Sequence, residues 1–291
     1  MTMNQVLSPA PKAATTARST SSVQGALSFI RPQDEKPYFH SSRVTGGVPE
    51  VFFEMDEHIM PVGDMREIAD TLSIDREGFE LMKHTTAVTD LYDDDAVENE
   101  YNPEIEALLR ERFGASQVVV FDVTRRSDGG DGAANPDGLR GPARRVHADY
   151  TVKSGPQRTK DILGEAEAER LFKSGAHIIQ VNVWRPITGP VQRAPLAVVD
   201  STSLQPDDLV ATDQVFPDRV GEIYHLAHSP QQRWYFAPEM TPDEVLLLKG
   251  WDSLDDGRTR FNAHGAFELP DMAQDAPPRE SIELRTLVII E

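Results

Sequence analysis

Residues 144–151, Arg-Arg-Val-His-Ala-Asp-Tyr-Thr, set one imidazole and one carboxylate two positions apart in a β-type run. Side chains alternate between the faces of a strand, so His147 and Asp149 project side by side. Such a pair suits a divalent ion held by nitrogen and oxygen donors. Spacing alone is weak: with 8 His and 48 acidic residues in 291, chance supplies roughly one His-x-acid pair per chain. Three contexts strengthen it. The pair lies on a predicted strand, a glycine-rich segment at 127–142 precedes it as a candidate lid, and a partner histidine stands downstream.

That partner is His264, just before a turn in "FNAHGAFELP". Its rivals are His225 and His228 in "IYHLAHS", three apart, so that on a strand at most one of them points inward. Two histidines and one carboxylate leave three positions open on Fe(II), enough for a chelating 2-oxo acid and dioxygen. The far carboxylate of the oxo acid needs a planar bidentate cation, which arginine supplies best. Arg279 in "PRES" meets that need, with Ser281 two residues on as a second donor on the same side. Arg285 shares their face and competes, but has no serine two positions later. In "VNVWRP", Asn182 and Trp184 share one face and Arg185 takes the other. These three and Tyr235 in "QRWYFAP" are candidates for contacting substrate or co-substrate, against the commoner use of such residues in a core.

Composition narrows the alternatives. A net charge of −19 argues against nucleic acid and against anionic membrane surfaces. Cys is absent, which excludes disulfides, thiolate metal sites and a thiol nucleophile. No apolar run is long enough to span a bilayer. The first twenty-odd residues are rich in Ala, Ser and Thr and hold no acid, but they show no amphipathic face. We expect residues 1–37 to be a disordered tail, residues 38–291 a single domain with a helical N-terminal part, and the protein to be cytoplasmic.

The elements that must position these groups follow from pattern. "VGDMREIADTLSIDREGFELMKHTT" reads as helical, and "NPEIEALLRERFGA" as a helix with Asn102 as cap, Pro103 first and Gly114 closing. "DLYDDDAVENEYN" reads as an acidic surface loop and lacks the glycine and final glutamate of an EF-hand. "QVVVFDVTRR" is strand-like, residues 127–143 form a long mobile loop, and "TKDILGEAEAERLFKSG" is one helix. Six further strand candidates follow, between 176 and 290. Many short strands behind helices predict a mainly β fold with flanking helices, a sandwich or jelly roll.

The stretches "VHADYT", "VNVWRPITGPVQRAPLAVVDSTSL", "EIYHLAHSPQQRWYFAPEMTPDEVLLLKGWDS", "AHGAFELP" and "APPRESIELRTLVI" resemble the Fe(II)/2-oxoglutarate oxygenase-like family of the AsaB/CmcJ type. That family includes gibberellin desaturase, the cephamycin methoxylation subunit and fungal hydroxylases. The resemblance covers about residues 115–291 and implies a double-stranded β-helix, a cupin-like jelly roll. It implies Fe(II) on His147, Asp149 and His264, 2-oxoglutarate on Arg279 and Ser281, and O2 as third reactant. It also implies hydroxylation or desaturation of a small molecule in secondary metabolism, by a protein working alone, as a homodimer or with a tailoring-enzyme partner. Two other readings stand beside it: an accessory binding subunit of a methyltransferase, and a jelly-roll metal oxygenase that does not use 2-oxoglutarate. The chain departs from the pattern in Val288-Ile289-Ile290, where an aromatic is common, and in a longer loop at 127–142.

Overall fold

β-Branched and aromatic runs in the second half of the chain pair into sheets whose faces are set by residue parity. The structure, a computed structural model, describes residues 21–46, 48–136 and 138–291. Its strands begin with β1 (Ser22–Ile30), β2 (Tyr38–His40), β3 (Glu50–Val51), β4 (Met55–Asp64) and β5 (Phe79–Lys83). Next come β6 (Gln117–Ser127), β7 (Ala133–Asn135), β8 (Gly138–Arg140) and β9 (His147–Ala148). The remainder are β10 (His177–Pro186), β11 (Leu196–Val199), β12 (Leu209–Val215), β13 (Val220–Leu226), β14 (Trp234–Phe236), β15 (Glu244–Asp252), β16 (His264–Ala266) and β17 (Glu280–Ile290). The helices are α1 (Ser42–Thr45), α2 (Asp94–Ala96), α3 (Asn102–Phe113), α4 (Ser154–Leu163) and α5 (Glu165–Ser174).

Among the described residues, ten strands form one sheet in the order β1-β4-β14-β11-β16-β9-β13-β12-β2-β3. A second sheet runs β5-β15-β10-β17-β6, and β7 and β8 form a small hairpin. This is the jelly roll that the strand pattern predicts. One face of β10 and β15 carries Trp184, Leu246 and Leu248, which pack with Val198 and Tyr235 of the large sheet. Their outer-face neighbours, Val181, Val183 and Leu247, bury Ile105 and Leu109 of α3. Both α3 residues are fully buried, each contributing about 1.5–3 kcal/mol. The opposite face of the large sheet packs Ala148, Val199 and Trp234 against Leu27 and Phe29 of β1. The strands that carry the candidate site therefore lie between apolar layers, the outer one completed by the large sheet's own edge strand β1.

Several expectations need correction. Residues 22–30 are not tail: β1 pairs with β4 along its length and seats Leu27 and Phe29 in the core. Residues 1–20 lie outside the described residues. The segment 62–86 is not one helix. It contains the end of β4, a 3-10 turn at Met65–Thr71 and then β5, whose Phe79 and Leu81 pair with β15. Tertiary pairing overrides the apolar spacing there, and Gly78, at a positive φ of 87°, separates turn from strand. The acidic stretch is the start of a helix. Asp93 accepts from the backbone N–H groups of Asp95 and Ala96, and a π-type turn at Val97–Tyr101 continues into α3. α3 ends, as expected, on Gly114 at φ 62°. The single helix of residues 159–175 is two, broken at Gly164 with φ 81° and ψ 149°. Residues 127–143 are not unstructured throughout, because β7 and β8 pair there and Asn135 bonds the Arg125 backbone.

Candidate metal centre

β9 is only two residues long, yet it lies between two neighbours. His147 pairs across to His264 of β16 and to His225 of β13. Direct cross-strand partners face the same way, so His147, Asp149 and His264 share one surface, the one turned toward the five-stranded sheet. Their candidate ligand atoms all lie within 4.8 Å of one another. The rings of His147 and His264 are 4.9 Å apart, and His147 Nε2 stands 3.5 Å from Asp149 Oδ1.

His225 falls out of the group. Its Nδ1 lies 3.0 Å from the Thr212 hydroxyl, and its ring packs on Phe39 and Phe53. Burial, with His147 and Arg145 nearby, holds its pKa well below the ordinary value, as suits a neutral core histidine. His228 stacks on His58 instead, at 3.7 Å. The downstream partner brought to His147 and Asp149 is thus His264.

Each member of the trio is oriented. His147 Nδ1 is 2.8 Å from the Arg145 carbonyl, which can only accept; that nitrogen therefore carries the proton and Nε2 keeps its lone pair. His264 is buried, and burial lowers its pKa to about 3, so it is neutral at physiological pH. Burial alone would raise the Asp149 pKa, but the Arg285 charge holds it well below the carboxylate range. Asp149 Oδ2 receives Asn182 Nδ2 at 2.5 Å and Arg285 Nε at 3.1 Å. Two imidazoles and a charged carboxylate are the donor set that suits a ferrous ion. The His264 Nδ1, buried without a hydrogen-bond partner, is an atom the protein alone does not satisfy.

The arginines divide. All three nitrogens of Arg285 meet carboxylates: Nε meets Asp149, Nη1 meets Asp122 at 2.7 Å, and Nη2 meets Glu283 at 2.6 Å. Arg279 spends only Nη1, on the Ala194 carbonyl at 2.8 Å, while Nε and Nη2 are buried without partners. Its guanidinium lies 5.7 Å above the Trp184 ring, and burial, then Arg126, lowers its pKa to about 9. A buried, charged fork with two idle N–H groups is built to receive a planar anion such as a carboxylate. Ala194 holds φ 42°, a strained angle for a non-glycine residue, at the carbonyl that fixes this fork. Ser281 is buried two residues along the same strand face.

The remaining candidates are divided between the site and its surroundings. Arg185 is corrected: parity sends it to the opposite face, where it bonds the His84 backbone carbonyl and lies over Tyr101 beneath the helical layer. Asn182 is in the site, but its amide donates to Asp149. Trp184 floors Arg279, and Tyr235 packs in the inter-sheet core beside Phe79. Sequence reasoning missed Asp122 and Glu283 as partners of Arg285. Parity along β17, which puts Arg279, Ser281, Glu283 and Arg285 on one face, was the available signal.

Comparison with known proteins agrees with this geometry. The oxidoreductase/YMDC permease-like domain family matches residues 27–289. The hydroxylase/desaturase efuI of Hormonema carpetanum is 36% identical over 251 residues, covering 79% of this chain and 83% of that protein. The Fe(II)/2-oxoglutarate-dependent dioxygenase nvfI of Aspergillus novofumigatus is 32% identical over 278 residues, covering 91% and 96%. A solved structure of the iron and alpha-ketoglutarate-dependent endoperoxidase NvfI matches with a TM-score of 0.80 at 30% identity, covering 94% of this chain and 99% of that one. With a jelly roll in common and a shared sequence over nearly its whole length, the chain belongs to the family of Fe(II)- and 2-oxoglutarate-dependent dioxygenases that these proteins represent.

Proposed function

We propose that this oxygenase hydroxylates or desaturates a small molecule of secondary metabolism at a ferrous centre held by His147, Asp149 and His264. The observation that carries the reading is the buried convergence of two imidazoles and one carboxylate, with ligand atoms within 4.8 Å, beside an arginine with two idle nitrogens. Fe(II) held there would let O2 react with 2-oxoglutarate, one oxygen atom ending in succinate as CO2 is lost and the other entering a substrate C–H bond as hydroxyl, or leaving as water when two hydrogen atoms are removed in desaturation.

The protein's task is placement. His147 offers Nε2 because the Arg145 carbonyl keeps its proton on Nδ1. Asp149 stays charged beside Arg285. Arg279 grips the far carboxylate of 2-oxoglutarate through Nε and Nη2, with Ser281 donating beside it and Trp184 fixing the plane of the fork. Apolar layers pack behind both sheets, Ala148, Val199 and Trp234 behind one and Val181, Val183 and Leu247 behind the other. A complete ligand set sets this reading above that of an accessory binding subunit, since a scaffold needs no ferrous ligands. We also propose that the protein acts in the cytoplasm, with a homodimer or a tailoring-enzyme partner as the assemblies open to it; among the described residues, no helix is long and apolar enough to cross a membrane.

The test uses the chain purified alone, supplied with Fe(II), 2-oxoglutarate and O2. We expect succinate formation that disappears in His147→Ala and Asp149→Ala. Normal succinate formation in either variant overturns the ligand assignment, and metal-dependent oxidation of substrate without succinate moves the protein to the class that does not use 2-oxoglutarate.

A further inference from the structure

We infer that Arg285 and Asn182 are positioning residues that saturate one oxygen of Asp149, leaving Oδ1 as its single metal-facing donor. The inference rests on the ligand assignment above and adds how the carboxylate is presented. A free carboxylate has two oxygens and can bind an ion through one or both. Here Oδ2 already accepts two hydrogen bonds, from Asn182 Nδ2 at 2.5 Å and Arg285 Nε at 3.1 Å. Oδ1 instead faces His147 Nε2 at 3.5 Å. One oxygen is used up by the protein, and the other points into the trio.

Both donors come from the opposite sheet, which makes the arrangement a bridge between layers. Asn182 lies on β10 and Arg285 on β17, and the two are direct register partners. They therefore face the same way, toward Asp149 at the end of β9. Arg285 is tethered by Asp122 of β6, which accepts from Nη1 at 2.7 Å, and Glu283 Oε1 stands 2.6 Å from Nη2 as an ion-pair partner. A guanidinium hydrogen-bonded at Nη1 and flanked by a second carboxylate at Nη2 presents its Nε–H in one direction. This also explains why a charged residue six positions after Arg279, on the same face, is not a second co-substrate site: no nitrogen of Arg285 is left for a ligand.

Co(II) binding to the metal-free protein, followed by its visible d–d absorption, reads affinity and ligand geometry without turnover. Arg285→Gln should weaken Co(II) binding about 10- to 100-fold and Asn182→Ala about tenfold, each with altered d–d bands, as expected when a group orienting a ligand is lost. The 2-oxoglutarate affinity of the Co(II)-loaded variants should stay near the wild-type value. If Arg285→Gln does not fold by near-ultraviolet circular dichroism, Asn182→Ala alone decides. Folded variants that bind Co(II) as tightly as wild type, with the same spectrum, overturn the inference. A wild-type protein whose Co(II) spectrum is insensitive to His147→Ala removes the ligand assignment itself. With that sensitivity present, unchanged Arg285 and Asn182 variants remove only the bridge.

Discussion

His147 Nδ1 lies 2.8 Å from the backbone oxygen of Arg145, two residues earlier on the same short strand. A carbonyl oxygen has no proton to give, so this contact selects the Nδ1–H tautomer and points the basic nitrogen at Asp149. Long-range 1H–15N correlation spectra of the metal-free protein should therefore show His147 protonated at Nδ1. An Nε2–H tautomer would mean that the ring is not preset for a metal.

Arg279 carries a desolvated charge with two unmet donors, which is costly until an anion arrives. Arg279→Ala should accordingly leave the thermal stability of the free protein little changed or slightly higher. In the metal-loaded protein, it should abolish most of the rise in Tm that 2-oxoglutarate produces in wild type. The apparent requirement for 2-oxoglutarate should rise roughly 10- to 100-fold, the loss of one charge-assisted bidentate contact. An unchanged requirement would detach Arg279 from the co-substrate.

Gly265 follows His264 where β16 meets β9. A Cβ placed there would lie 2.9 Å from Val146 Cγ1 and 3.3 Å from the Arg144 carbonyl oxygen. Gly265→Ala must push the two strands apart, at a cost of about 1–3 kcal/mol in denaturant unfolding. Because His264 and His147 are direct partners across this junction, metal affinity should fall with stability. A variant that loses stability yet binds metal normally would show that the two histidines are not held by this contact.

The side-by-side placement of His147 and Asp149 was legible because strand parity is local: the two need only each other and an extended backbone. The same parity correctly separated Asn182 and Trp184 from Arg185. What could not be read was distance across the fold. Nothing local in "IELRT" says that Arg285 meets Asp122 and Asp149 as well as its strand neighbour Glu283, because Asp122 comes from β6 and Asp149 from the residue after β9. The segment 62–86 misled for a related reason. Its apolar spacing fits a helix, but β15 offers Phe79 and Leu81 a sheet edge, and long-range pairing wins over propensity. The N-terminal boundary failed likewise: polar, small residues hide the two anchors of β1, Leu27 and Phe29, that fill the core behind β9.

Glu244, at the start of β15, is buried beside Arg66, whose Nη2 donates to it at 2.9 Å. Burial alone would raise its pKa, but Arg66 and the Thr241 amide bring it down to about 2. A carboxylate with a depressed folded pKa stabilises the protein above its unfolded value and loses that stabilisation as pH falls. The contribution should be about 2 kcal/mol at neutral pH, allowing for the partly exposed Arg66, and should fade between roughly pH 4.5 and 2. Glu244→Gln should lower stability at pH 7 by that amount and leave a flatter pH profile below 4.5. Parallel wild-type and variant profiles through that window would contradict the pairing.

The account turns on His147, Asp149 and His264 gripping one ferrous ion together. Its most direct test is an anaerobic titration of the metal-free protein with Fe(II) and 2-oxoglutarate, watching for the weak visible charge-transfer band of the chelate. The band should develop to one equivalent of Fe(II) in wild type and be absent in His264→Ala. A band of full strength in His264→Ala would contradict the three-residue centre.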